Sequence, residues 1–465
     1  KYAVRNWEGA MEPLLGASTD DPGSARALVA FGRLETAIGG QEAVKAKGFF
    51  GKAIAIDPDY ADAYIEQSHL ELAGNDAAGA RASGEKAIGA DPTRPEAYEA
   101  AAAAAVAGKD PVTAEKWLQI ATQIDPEDFE TWMDLGEARR LSGNPQGALE
   151  PLQKAAALKK DIAEPQIRLG NAWEDLGDLK KAGDAYAEAA KIEPDNVKVA
   201  VRAGVVKAKN GEYTDARKML EAVVAQHSEI AEAHFWLGVS YQQTQEPDRA
   251  LDAYRQSIKH GYPDAFMADY HSAELLAAPG PVLDKDAAKE MLHAALQLKP
   301  DLWQAHELAA DIALTNNELD DAVKELKAVD DSTQKLPAAA RTPILVRIRL
   351  KQGKILRQQT HTREAEKVFN EVLKIDPKSA DALFNLGDLY RDTDNRKAKV
   401  YYQKAIVANK SYAPPWKALG YMAKDDNNDC EAKRDWQKFV ELAPNPNSDE
   451  VKEVRDDLSS SQCDR

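Results

Sequence analysis

The sequence predicts an all-α, right-handed solenoid of about twelve helix–turn–helix units, closed by a C-terminal capping helix. Three observations carry that reading. A short phrase recurs: IDPDYADA from Ile56, ADPTRPEA from Ala90, IDPEDFET from Ile124, IEPDNVKV from Ile192, LKPDLWQA from Leu298 and IDPKSADA from Ile375. Its prolines keep one interval, with Pro58, Pro92 and Pro126 spaced 34 residues apart and Pro194 two such periods further on. Ala, Glu, Lys, Leu and Asp dominate, and only 7% of residues are aromatic, a balance that favours helices over sheet. A chain of 465 residues would ordinarily suggest several globular domains, but an array grows by adding units rather than cores.

Between the prolines the residue types repeat as well. The unit from Phe129 sets Trp132, Leu135 and Gly136 on one helix and Ala148, Leu152 and Ala155 on a second. The unit from Ala163 carries Leu169, Gly170, Ala182, Tyr186, Ala189 and Pro194 at the matching places, and the last carries Trp416, Leu419, Gly420, Ala432, Trp436 and Pro444. Small residues let the two helices of a unit cross closely, while large ones fill the space between them and their neighbours. The proline ends the second helix, which it cannot continue. On these residues the chain resembles the tetratricopeptide-repeat family over nearly its whole length.

Units are expected to begin near Ala25, Ala61, Pro95, Phe129, Ala163, Val197, Ala231, Ala265, Trp303, Val346, Ala380 and Ala413. The eighth carries an insertion, PGPVLD at 279–284. The expected division is a truncated half-repeat at 1–24, nine units at 25–336, a linker at 337–345, three units at 346–446, and a capping helix with its tail at 447–465. The half-repeat rests on AMEPLL at 10–15, which echoes ALEPLQ at 148–153, and on Tyr2, which falls where a large aromatic recurs. The expectation is that the native polypeptide continues upstream, the alternative being a degenerate half-repeat that serves as an N-terminal cap. At the other end Ser448 is the expected N-cap of the capping helix, with acidic residues in its first turn.

Catalytic and ligand chemistry leave little trace. A formal charge of -17 argues against nucleic acid as the main partner, since phosphate binding needs clustered Lys and Arg. No apolar run approaches the ~18 residues of a membrane span. The eight histidines are scattered, and no HExxH or Cys/His cluster offers metal-ligand spacing. Phosphate-binding and nucleophile-elbow motifs are missing too. Acidic pairs such as Asp330–Asp331 fall in predicted turns, where Asp bonds locally. No cofactor, metal or catalytic residue is expected, and the chain reads as non-enzymatic.

The two cysteines, Cys430 and Cys463, flank a predicted hairpin formed by the final repeat's second helix and the capping helix. Antiparallel packing of those helices would return Cys463 to the neighbourhood of Cys430. A disulfide there would contribute ~3–4 kcal/mol in the chain-entropy model and would indicate an oxidising compartment. The expectation is therefore a bacterial protein of the periplasm or cell envelope, with the cytoplasm as the alternative.

The resemblance implies partner binding along the face of the first helices. Residues two, five, nine and twelve of those helices project a groove. Its N-terminal part holds Ile65, Glu96, Glu99, Glu130, Met133, Glu137, Glu164, Ile167, Asn171, Val201, Val205, Phe235 and Val239. Its C-terminal part holds Arg347, Lys354, Arg357, Arg391 and Lys417. The resemblance also implies a test, because some family members clamp a C-terminal carboxylate with Lys and Asn from three consecutive units. Asn171 and Arg202 match only isolated parts of that set. The function expected is a scaffold for protein or peptide partners, with basic-apolar segments favoured and self-association open to test. The alternative is a regulatory repeat region of an enzyme whose catalytic domain lies upstream.

Overall fold

The computed structural model describes residues 24–38 and 42–460. Among them are 25 helices and no strand. The chain falls into two compact units, 1–262 and 263–465. In the first, α1 (Ala25–Ile38) pairs with α2 (Glu42–Ile56), α3 (Ala61–Ala73) with α4 (Ala77–Ala90), α5 (Pro95–Ala107) with α6 (Pro111–Ile124), and α7 (Phe129–Leu141) with α8 (Pro145–Leu158). The pairs α9 (Glu164–Asp175) with α10 (Leu179–Ile192), α11 (Val197–Lys209) with α12 (Tyr213–Gln226), and α13 (Ala231–Gln243) with α14 (Pro247–Lys259) complete it.

In the second unit α15 (Ala265–Ala277) pairs with α16 (Lys285–Leu298), α17 (Trp303–Thr315) with α18 (Leu319–Ser332), and α19 (Ala338–Gln358) with α20 (Thr362–Ile375). Then α21 (Ala380–Tyr390) pairs with α22 (Asn395–Ala408) and α23 (Pro414–Asp425) with α24 (Asp429–Leu442), and α25 (Asp449–Ser460) packs on α24. These are the twelve helix pairs and terminal helix read from the sequence. The half-repeat expected at 1–24 lies, up to residue 23, outside the described residues.

The turn within each pair is built from local chemistry. In nine of these turns one residue is left-handed: glycine at 143, 177 and 211, and Asn75, Lys109, Gln245, Asn317, Thr360 and Asn427 in the others. The last residue of the turn often caps the second helix. Asp76, Asp110, Asn144, Asp178, Asp284, Asp394 and Asn428 each accept a backbone N–H three residues on, a bond worth ~1 kcal/mol apiece. The turn between pairs is pinned from the first helix that follows it. Trp132 Nε1 donates to Pro126 O at 2.9 Å and the Tyr98 hydroxyl to Pro92 O at 3.2 Å. Histidines take the same place in two other units, with His234 Nε2 on Ser228 O at 2.9 Å and His306 Nε2 on Pro300 O at 3.0 Å.

The stretch 337–345, expected as a linker, is helical from Ala338 and forms the start of α19. Three alanines favour the helix. Pro343 removes only an N–H directed at the carbonyl of Ala339, an exposed residue whose oxygen water can reach. Arg341 and Arg349 both bond Asp330 on α18, at 2.7 and 2.8 Å, and Ile344 shares a buried cluster with Leu326 and Val329. The capping helix forms as expected: Ser448 Oγ accepts the Val451 N–H at 3.3 Å, and Val451 and Val454 are buried with Trp436 and Phe439.

Close approach within a pair depends on one glycine. A Cβ at Gly170 on α9 would lie 2.6 Å from the Tyr186 ring on α10. Gly136 meets Leu152, Gly387 meets Tyr402 and Gly420 meets Trp436 in the same way. By contrast, a Cβ at Gly51 in α2 would meet nothing within 4 Å. Gly170→Ala should therefore cost ~1–3 kcal/mol through overpacking, whereas Gly51→Ala should stabilise by ~0.5–1 kcal/mol. Urea unfolding of both variants tests the pair, and a gain from Gly170→Ala would contradict the packing described.

Candidate partner-binding face

Successive first helices touch directly, as in α3 on α5, α7 on α9, α11 on α13 and α19 on α21. That crowding decides which of the expected groove residues meet solvent. Ile65, Val201, Val205 and Phe235 are buried. Phe235 stacks on Tyr262 at 4.5 Å and meets Trp236 edge-on at 5.4 Å. These four belong to the stack and offer no surface to a partner, because the neighbouring helices already cover them. Met133, Ile167 and Val239 are half-buried, with Met133 against the cluster of Leu152 and Leu169 and Ile167 against that of Tyr186 and Val206.

The charged positions are largely occupied by one another. Arg140 on α7 bridges Glu137 and Asp175 of α9, each at 2.8 Å. Arg168 ties Glu164 to Asp134 at 2.9 and 3.0 Å, and Arg94 ties Glu96 to Asp62 at 3.3 and 2.8 Å. Glu99 and Asp128 converge on the Thr131 hydroxyl. Burial pushes the Glu99 carboxyl up, against the opposing effect of the Thr131 bond. Arg202 forks onto Glu174 at 2.8 and 2.9 Å, and the Tyr186 hydroxyl reaches both Glu174 and Asn171 at 2.6 Å. Asn171 and Arg202, the two residues that match parts of a carboxylate clamp, are thus engaged inside the array.

The basic section is spent in the same way. Arg347 pairs with Glu307 at 2.6 Å, Arg357 with Asp388, and Lys417 with Glu450 at 3.0 Å. Lys354 and Arg391 stay exposed, with no side-chain hydrogen bond or ion pair among the described residues. Glu130 is likewise exposed and unpaired there, leaving Glu96, Glu130 and Glu164 in equivalent places on α5, α7 and α9.

Cys430 is exposed in the first turn of α24, while Cys463 lies outside the described residues. No group of three or more His, Cys, Asp and Glu that could hold a metal occurs among the described residues, and no helix there is long and apolar enough to cross a membrane.

Two titrating groups escaped the sequence. His306 donates through Nδ1 to Glu325 at 2.6 Å as well as through Nε2 to Pro300 O. Burial lowers its affinity for a proton, but the two bonds outweigh burial and hold the imidazole above its ordinary range. Asp269, fifth residue of α15, is 6% exposed, and no hydrogen bond or ion pair satisfies it among the described residues. Its burial alone pushes the carboxyl up to about 6. Nothing in its flanking residues signals this, since burial there depends on the packed neighbours.

Models of the tetratricopeptide repeat match residues 163–196 in one form and 201–266, 283–337 and 350–414 in another. Among solved structures, c5321, a protective antigen present in uropathogenic Escherichia coli strains displaying an SLR fold, shares 16% identity over 98% of each chain with a TM-score of 0.58. MamA from Desulfovibrio magneticus RS-1, from residue 41 to the end, shares 24% identity over 37% of this chain and 96% of its own, with a TM-score of 0.34. No curated protein sequence matches.

The buried carboxyl gives a pH prediction. An unfolded Asp titrates near ~3.9, so between about pH 4 and about pH 6 the folded state retains a proton that the unfolded state has lost, and stability falls as pH rises through that window. Asp269→Asn removes this cost. The variant should exceed the parent by up to ~3 kcal/mol at about pH 8 and match it near pH 4. Urea unfolding at both pH values checks this, and an equal gain at both would exclude the titration.

Proposed function

We propose that this tetratricopeptide-repeat protein is a scaffold whose first-helix face holds a segment of a partner protein. The observation that carries the reading is the column formed by Glu96, Glu130 and Glu164 on α5, α7 and α9, exposed in three successive units beside the half-buried Met133 and Ile167. Such a surface suits an extended or helical segment bearing Lys or Arg next to apolar side chains. In the second compact unit, Lys354 and Arg391 suit an acidic stretch. Charge of this kind sets encounter rate and orientation more than affinity.

The proposal extends to the compartment. Helix α25 runs back along α24, and its last residue, Ser460, stands three places before Cys463. A Cys430–Cys463 disulfide would close the terminal hairpin, and an oxidising, extracytoplasmic site would preserve it. Non-reduced protein from the native source should then weigh about 2 Da less than the reduced form. Two titratable thiols in that material would remove both the staple and the compartment.

Pull-down from the native source followed by cross-linking tests the binding face. Cross-links should fall on α5, α7 and α9. Replacing Glu130 and Glu164 by Lys should slow association several-fold and flatten its salt dependence, with unfolding stability changed by less than ~0.5 kcal/mol at these exposed positions. Cross-links confined to the second helices would exclude this face.

A further inference from the structure

The array provides its own internal comparison. From α4 onward every second helix has a fully buried alanine at its fourth position, such as Ala114, Ala182, Ala250 and Ala398. Two residues beyond that alanine, nine of the ten second helices other than α22 present an exposed charged residue, for example Lys116, Asp184 or Lys218, and α4 has Ala82. Helix α22 has Val400 there. Nine residues beyond the alanine, the same ten helices carry charged residues, glutamine, alanine or glycine, and α22 has Val407. Val407 is 79% exposed and Val400 47%. These valines stand i and i+7 on one face, where the other units meet water.

They border a cleft of about 760 Å³ between α20 and α22, with Leu373 and Tyr401 on its sides and Leu383 from α21 as its floor. Its rim is basic. Lys378 and Lys404 line it and are exposed, without an acidic partner among the described residues, and the Lys404 ammonium sits 5.4 Å from the Tyr401 ring centre. The surrounding stretch agrees: residues 338–410 hold 16 Lys and Arg against 8 Asp and Glu, in a chain whose net charge is -17. An apolar cleft with unpaired cations at its edge calls for apolar side chains flanked by carboxylates.

We infer that the α20–α22 cleft is a second docking surface, for an acidic segment of another protein that carries aliphatic side chains at helical spacing. Val400 and Val407 bury the aliphatic side chains, and Lys378 and Lys404 meet the carboxylates. The same chemistry occurs within the chain at α25, where Val451 and Val454 are buried while Glu450 and Asp457 reach Lys417 and the Tyr421 hydroxyl, each at 3.0 Å.

The probe is a fluorescent peptide of about 16 residues with Leu at i, i+4, i+7 and i+11 and Glu or Asp between them. Anisotropy is measured against the full chain, together with a scrambled peptide of equal composition. The ordered peptide should bind, and weaken several-fold between low and about 500 mM salt. Val400→Lys, which restores the residue type of the other units, and Val407→Gln should each weaken binding about tenfold, with helix content and urea midpoint unchanged. Lys404→Glu should weaken it comparably, while Glu130→Lys on the first-helix face leaves it alone. No binding, equal binding of the scrambled peptide, or indifference to both valine variants would overturn the inference.

Discussion

The close crossing of two helices within each unit is the contact on which the rest depends. At Gly170 the absence of a Cβ lets the Tyr186 ring lie against the backbone of α9. The ring in turn carries its hydroxyl to Asn171 and Glu174, and Glu174 holds Arg202 of the next unit. One missing methyl therefore sets the spacing within a pair, and the side chain admitted there reaches toward the following pair. Where the admitted residue is Leu152 rather than tyrosine, the polar reach is lost, and Arg140 ties α7 to α9 instead. Nearest-neighbour coupling of this sort is what an array has in place of a single core.

The charges on the first helices serve that coupling before they serve any partner. Surface ion pairs are individually weak, ~0–1 kcal/mol. Their larger effect is subtractive, because each engaged arginine is withdrawn from the surface that a ligand would meet. Among the charged groove positions expected from the sequence, those left free are few: Glu130 in the first compact unit, and Lys354 and Arg391 in the second. A sequence projection counts every charge on a face, whereas the molecule presents only those its neighbouring repeat leaves unpaired.

This explains how far the sequence could be read. Helix pairs, turns and the terminal helix were legible because proline spacing, the Ala and Gly places and the capping Asp residues are local signals that repeat; Ser448 is one example. The segment 337–345 was misread because Pro343 has no single meaning, and the outcome rested on Ile344 finding Leu326 and on Asp330 receiving two arginines. The groove was legible only in outline. Residues two, five, nine and twelve do lie on the first helices, but the packed helices bury Val201 and Val205, Tyr254 and Tyr262 cover Phe235, and those contacts are not written in any one repeat. The pinning role of His234 and His306 was readable in principle, since each stands fourth on its helix, as Trp132 and Tyr98 do.

The left-handed turn residues carry a consequence for motion. Glycine adopts that backbone at no steric cost, whereas a β-branched residue such as Thr360 is held there against an opposing preference of ~1 kcal/mol or more. The turn between α19 and α20 therefore starts closer to release than the one at Gly177. In an array whose units open one at a time, local fraying is graded along the chain, and the hairpin at Thr360 is a weak link from which amide protection would be lost before its neighbours yield.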